Sequence, residues 1–174
     1  AMIRKFHLAK LAMNGKMDAI REDEAVYGPI PADIRKALEQ APPVARLWGT
    51  GTAQREILHV DDMAAACCSV MLMSDEQYQR SCRASAEYQA AGMDAVSFIN
   101  IGSGEEVTIR QLAEIVRRAV GFHGEISWDA SKPDGMPRKL TDTARLRQLG
   151  WRPQIDLATG IRKTYAAYQA NISS

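Results

Sequence analysis

Apolar and polar positions alternate along this chain with periods that change several times. Residues 2–13 carry apolar side chains at 2, 3, 6, 8, 9, 11, 12 and 13, with Arg4, Lys5 and Lys10 between them. That spacing predicts an amphipathic helix, stopped at Asn14-Gly15. No capping residue precedes it, as if further chain came before. Residues 16–43 are polar and irregular apart from a short helix expected over 33–40, and they read as a surface insertion. Val44 to Trp48 is a short apolar run, followed by Gly49-Thr-Gly-Thr52, the charged pair Arg55-Glu56 and a strand-like Ile57-Leu-His-Val60. Asp61 can cap a helix through Leu72 that is apolar nearly all round, which predicts burial on more than one side. Residues 74–92 are polar and read as a solvated hairpin or loop, and Val96 to Gly102 reads as a buried strand.

The second half is more sharply punctuated. Thr108 and Gln111 form a predicted capping box. Ile109, Leu112, Ala113, Ile115, Val116 and Val120 follow on one helix face until Gly121 stops it. Residues 125–129 predict a short strand. Ser131 to Lys139 is a loop stiffened by proline and glycine, 142–149 a short helix, and Asp156 the cap of a last helix to about Asn171.

A chain of 174 residues can bury a real core, and 46% hydrophobic with 25% charged residues is the composition of a globular protein. Its 22 basic and 21 acidic residues leave a net charge of +1, so nothing favours a nucleic-acid or membrane partner. No apolar run approaches the ~20 residues of a membrane helix, and no signal-peptide progression opens the chain. Cys67, Cys68 and Cys82 read as reduced thiols, which implies a cytoplasmic protein.

Chemistry is sparse. His7, His59 and His123 lie in distant segments without ligand spacing, so no metal site is expected. His59 alternates with apolar neighbours and reads as a half-buried structural histidine. The segment Gly102-Ser-Gly104 is no dinucleotide fingerprint: Val107 replaces the third glycine, and Glu105 and Glu106 would repel a pyrophosphate. Cations in stiffened loops are the stronger signal. Arg55, Lys132, Arg138 and Lys139 could neutralise a phosphate or carboxylate, the planar guanidinium of Arg55 with two parallel bonds. A merely solvated basic surface is the competing reading.

Several segments together resemble the GDP-L-fucose synthase family. These are Leu47-Trp-Gly-Thr-Gly-Thr52 with Arg55-Glu-Ile-Leu-His-Val-Asp-Asp62, Ile99-Asn-Ile-Gly-Ser-Gly104, Thr108-Ile-Arg-Gln-Leu112 and Ser131-Lys-Pro-Asp-Gly-Met-Pro-Arg-Lys139. Ile3-Arg-Lys-Phe-His7 and Leu149-Gly-Trp151 match too. Such enzymes are extended short-chain dehydrogenase/reductases that act as GDP-4-keto-6-deoxy-D-mannose 3,5-epimerases and 4-reductases. The resemblance implies an α/β fold, and within it only the C-terminal, substrate-binding portion. That portion would be mostly helical with a few short strands, and it would lack the N-terminal Rossmann half. It would be a single domain over 1–174, with insertions at about 14–43 and 75–95.

The family's glycine-rich NADP unit, catalytic serine or threonine and Tyr-x-x-x-Lys pair have no counterpart here. None of Tyr27, Tyr78, Tyr88, Tyr165 and Tyr168 has a lysine four residues on. NADP is thus expected in complete family members and not on this chain alone, and no catalytic residue is assigned. The family's sugar-nucleotide contacts fall on Lys5, Trp48, Arg55, Asp134 and Lys139, with Lys132 added from its place in the same loop. Lys5 stands where an arginine is usual. The implied ligand is a GDP-sugar. A homo-oligomer, a dimer, or else a rearranged sheet is expected, because the helix after Asp61 and the strand near 96–101 would expose apolar surface on their own. Two alternatives stay open: a non-catalytic nucleotide-sugar binder or oligomer partner, and another extended reductase of sugar nucleotides.

Overall fold

The computed structural model describes residues 2–83, 89, 90, 92 and 98–172. The chain divides into two compact units, one of residues 1–55, 107–138 and 158–174, the other of residues 56–106 and 139–157.

The first unit is built on α1 (Met2–Met13), whose inward residues Phe6, Leu8, Ala9 and Leu11 are all buried. Helices α2 (Met17–Tyr27) and α3 (Ala32–Leu38) pack on it. The 16–43 stretch is therefore no surface insertion: Ile20, Ile30, Ile34, Ala37 and Leu38 are core residues. Its apolar residues are divided between two short helices and the linker at Ile30, and Met17 and Val26 among them are exposed, so no sustained period marks the inward face.

Strand β1 (Ala45–Trp48) follows, with Ala45 and Leu47 turned inward and Arg46 and Trp48 outward. It pairs in parallel with β4 (Ile126–Asp129), in the register Ala45 with Ile126 through Trp48 with Asp129. Between them in sequence come β2 (Gln54–Glu56), β3 (Glu106–Thr108) and α6 (Ile109–Val120). The predicted capping box is present: the Gln111 amide donates to Thr108 Oγ1 at 3.1 Å and the Thr108 amide to Gln111 Oε1 at 2.8 Å. Gly121, at φ 70°, ends the helix in the left-handed region. Leu112, Ala113, Val116 and Val120 are buried, α6 packs on α1, and Phe6 meets Phe122 edge-on at 5.8 Å. Strand β5 (Arg138–Lys139) completes a second small sheet of order β3-β2-β5. The last helix, α8 (Leu157–Ile172), contributes Tyr165 and Tyr168 to a polar core cluster with His7, Asp23 and Arg4.

In the second unit lie α4 (Val60–Met71), α5 (Asp75–Ser81) and α7 (Ala144–Gln148). Loops here are tied by carboxylates. Glu56 accepts from the amides of Gly104 at 2.6 Å and Thr141 at 3.0 Å, and buried Asp62 from those of Gln154 and Ile155 at 3.1 and 2.9 Å. Three expectations change. The cap of α4 is His59, whose Nδ1 accepts from the Asp61 amide at 3.2 Å, so residues 57–59 approach a helix instead of extending a strand. Helix α4 buries only Asp62 and Ala66, leaving Met71 and Leu72 82% and 86% exposed, because its apolar perimeter exceeds what its own unit packs against it. The strand expected over 96–102 begins outside the described residues; its described part, 98–102, is not strand, and Phe98 is 54% exposed. The Asn100 side-chain amide donates to the Asp142 carbonyl, and the Arg145 guanidinium to the Phe98 carbonyl. Within 74–92, α5 carries a capping box of Ser74 and Gln77.

Candidate functional site: an indole flanked by two ammonium groups

Trp48 sits at the end of β1 on its outward side, so strand alternation puts its ring at the surface, 55% exposed. Lys5, from α1, places Nζ 5.2 Å from the ring centroid, and Lys132, from the loop after β4, places Nζ 5.8 Å from it. Both distances lie within cation–π range. Burial draws the Lys5 ammonium below its ordinary pKa, against the opposing pull of Asp33.

The loops that follow the two strands lie side by side. Asp134 Oδ1 accepts from the Thr50 amide at 2.7 Å and the Gly51 amide at 3.3 Å, while Oδ2 accepts from the Thr50 hydroxyl at 2.6 Å. The Gln54 amide donates to the Pro137 carbonyl at 2.8 Å. Glycine is required at two positions of the turn. Gly49 has φ +77°, and a Cβ there would fall 2.2 Å from Asp134 Oδ1; Gly51 has φ +76°, and a Cβ would meet the Trp128 ring at 2.5 Å. Arg110 lies over that second indole at 4.6 Å. Arg55 donates to the Gln54 carbonyl at 2.6 Å, and its guanidinium passes beside Gly135.

Five of the six residues expected to bind a sugar nucleotide thus lie in the first unit. Lys5, Trp48 and Lys132 converge, and Arg55 and Asp134 sit on the adjoining loop pair. Lys139, exposed in β5, belongs to the other unit. The Trp48 N–H donates to Asp33 Oδ2 at 2.9 Å, and the two Asp134 oxygens hold the loop pair together.

Sequence reasoning passed over Asp33, Asp129 and Ser131. Asp33 opens the short helix expected over 33–40, 15 residues before its partner, with nothing local to link them. The indole N–H is the main reason its carboxyl stays below the usual carboxylate range. Asp129 accepts from the Ser131 hydroxyl at 2.6 Å and amide at 3.2 Å, which lowers its pKa and shapes the turn that delivers Lys132. A serine two residues after an aspartate is a turn signal that could have found it.

The site therefore offers an aromatic face, three cations and carboxylates already engaged. That suits a ligand with an anionic group beside a C–H-rich ring. Among the described residues no group of His, Cys, Asp or Glu is arranged to hold a metal ion. Nor does the Gly102–Gly104 turn fit a dinucleotide pyrophosphate, since the Gly104 amide is taken by Glu56 and the Glu105 amide by Ser103 Oγ.

Residues 6–81 match the NAD dependent epimerase/dehydratase family. The chain is 43% identical over 145 residues to GDP-L-fucose synthase of Escherichia coli K12, covering 82% of this chain and 42% of that protein. It is 44% identical over 126 residues to GDP-L-fucose synthase 1 of Arabidopsis thaliana, covering 72% of this chain and 33% of that one. It matches the crystal structure of a GDP-D-glycero-L-gluco-heptose synthase from Campylobacter jejuni, determined in the presence of NADPH, with a TM-score of 0.72 and 30% identity. That match covers 97% of this chain and 46% of the other. Residues 6–81 carry the match to that family, and the chain has the Rossmann-type fold of the extended short-chain reductases, of which it holds a short, mostly helical α/β portion. Within that family the resemblance to GDP-L-fucose synthase holds over most of the chain, and the chain spans less than half the length of these relatives.

Proposed function

We propose that this chain is the GDP-sugar-binding part of a GDP-L-fucose synthase-like, NADP-dependent epimerase and reductase. The complete protein would convert GDP-4-keto-6-deoxy-D-mannose to GDP-L-fucose. The observation that carries the reading is the convergence of Lys5 and Lys132 on the Trp48 ring, beside the Arg55 loop. Lys5, Lys132 and Arg55 neutralise the diphosphate, and Trp48 stacks on the ring next to it. Asp134 holds the two loops in register. The nicotinamide supplies the hydride when bound; the present residues bind and orient the sugar nucleotide, and no chemical step is assigned to them. The names of the relatives support the GDP-sugar class.

Self-association accompanies this reading, supported by the exposed apolar residues of α4. A monodisperse monomer in gel filtration would remove it. Free thiols at Cys67, Cys68 and Cys82 support a reducing, cytoplasmic setting.

Calorimetric titration with GDP-fucose, GDP-mannose and UDP-glucose tests the ligand class. The GDP-sugars are expected to bind and UDP-glucose to bind more weakly. Equal binding of all three would overturn the preference for guanosine, and absence of binding the function itself.

A further inference from the structure

We infer that Asp33 is a positioning residue that fixes the Trp48 indole and decides which part of it a ligand meets; the ligand side of this inference rests on the sugar-nucleotide reading above. An indole more than half exposed at the end of a strand has little packing to hold its χ angles. Here the hold comes from α3, which packs against both β1 and α1. Asp33, in its first turn, takes the Nε1–H at 2.9 Å. Two consequences follow from the geometry.

First, the one polar group of the ring is spent, so an incoming ligand meets a π face and no donor. The complementary group is the C–H face of a sugar or ribose ring, not a carbonyl or hydroxyl oxygen. Second, the Asp33 charge opposes the lowering that burial imposes on the pKa of Lys5, whose ammonium lies 5.2 Å from the centre of the same ring. Removing the carboxylate would therefore act on the indole and on the cation beside it together. A segment that reads from sequence as an insertion with no role would thereby set the selectivity of the site.

Two variants separate the hydrogen bond from the charge. Asp33→Ala removes both, while Asp33→Asn keeps an acceptor of nearly the same shape. The first readout needs no ligand: the indole N–H resonances of Trp48, Trp128 and Trp151 in 15N-labelled protein, with Trp48→Phe identifying the first. The expected result is a displaced Trp48 resonance in Asp33→Ala, the other two unmoved, and a smaller displacement in Asp33→Asn. A Trp48 resonance unmoved in Asp33→Ala, or three resonances displaced together in both variants, would overturn the inference. The second readout is GDP-fucose affinity, expected to fall about tenfold in Asp33→Ala, the scale of one charged hydrogen bond, and less in Asp33→Asn. Equal affinity in the two variants and the parent would also overturn it. A parent that binds no GDP-sugar defeats the functional reading alone, because the resonances still report whether Asp33 holds the ring.

Discussion

Asp134 holds Thr50 through two hydrogen bonds: its Oδ1 accepts from the Thr50 amide at 2.7 Å and its Oδ2 from the Thr50 hydroxyl at 2.6 Å. The two residues lie 84 positions apart, yet this contact sets the separation of the tryptophan loop and the Ser-Lys-Pro-Asp-Gly loop. The Thr50 hydroxyl is also the main reason that the Asp134 carboxyl titrates below the usual range. Gly49 makes the approach possible. Gly49→Ala puts a methyl group onto Asp134 at a positive φ, which costs about 1–3 kcal/mol for the backbone alone. The expected outcome is a lower unfolding free energy together with weaker GDP-sugar binding, both measurable on one preparation. An unchanged chemical-unfolding midpoint would show that the turn relaxes and the contact is dispensable.

The capping box of α6 isolates a purely structural contribution. Thr108→Ala removes the oxygen that accepts from the Gln111 amide, and loss of such a cap costs about 1 kcal/mol. Urea unfolding is expected to register that loss. GDP-sugar affinity should stay unchanged, since the lost bond lies within the helix terminus itself.

His7 gives the chain a dependence on pH in the mildly acid range. Its Nδ1 and the Tyr165 hydroxyl are 2.9 Å apart, and burial draws its pKa below the ordinary 6.5, with Asp23 opposing and Lys10 assisting. The unfolded chain then binds the proton more readily than the folded one. Stability is complete above pH 6.5 and falls as the pH drops from there through the folded-state value. Unfolding free energies measured at pH 8 and pH 5.5 should differ, and His7→Gln should shrink the difference. Asp33, Asp129 and Asp134 act in a separate window. Their lowered values contribute stability that is present above the ordinary 3.8 and lost only below it.

Arg55→Ala tests the cation next to Gly135. Loss of one charge-assisted contact is expected to weaken GDP-sugar binding by roughly 1.5–3 kcal/mol, about tenfold to a hundredfold. Calorimetry on the variant beside the parent reads it directly. An unaltered affinity would take Arg55 out of the site.

Local signals in the sequence carried a good part of this molecule, and their success has a common cause. Helices α1 and α6 and the Thr108 cap depend on neighbours within four positions, so their spacing shows in the chain itself. Arg55 and Lys132 showed as cations in stiffened loops, but Lys5 and its convergence with Lys132 on Trp48 did not, because the three residues come from segments joined by tertiary packing. Asp33 had no local signal for the same reason. The errors fell where a residue satisfies a distant backbone group. Asp62 could be read as a helix-terminal charge, yet it accepts the amides of Gln154 and Ile155. Helix α4 was misjudged because an apolar perimeter reports what could be buried, not what its unit supplies to bury it.

The most direct test is a crystal structure of the chain with GDP-fucose. The account predicts the diphosphate held by Lys5, Lys132 and Arg55, with a ring of the ligand lying on the face of Trp48 while the indole N–H stays on Asp33. A nucleotide seated on another surface, with these three cations facing solvent, would contradict it.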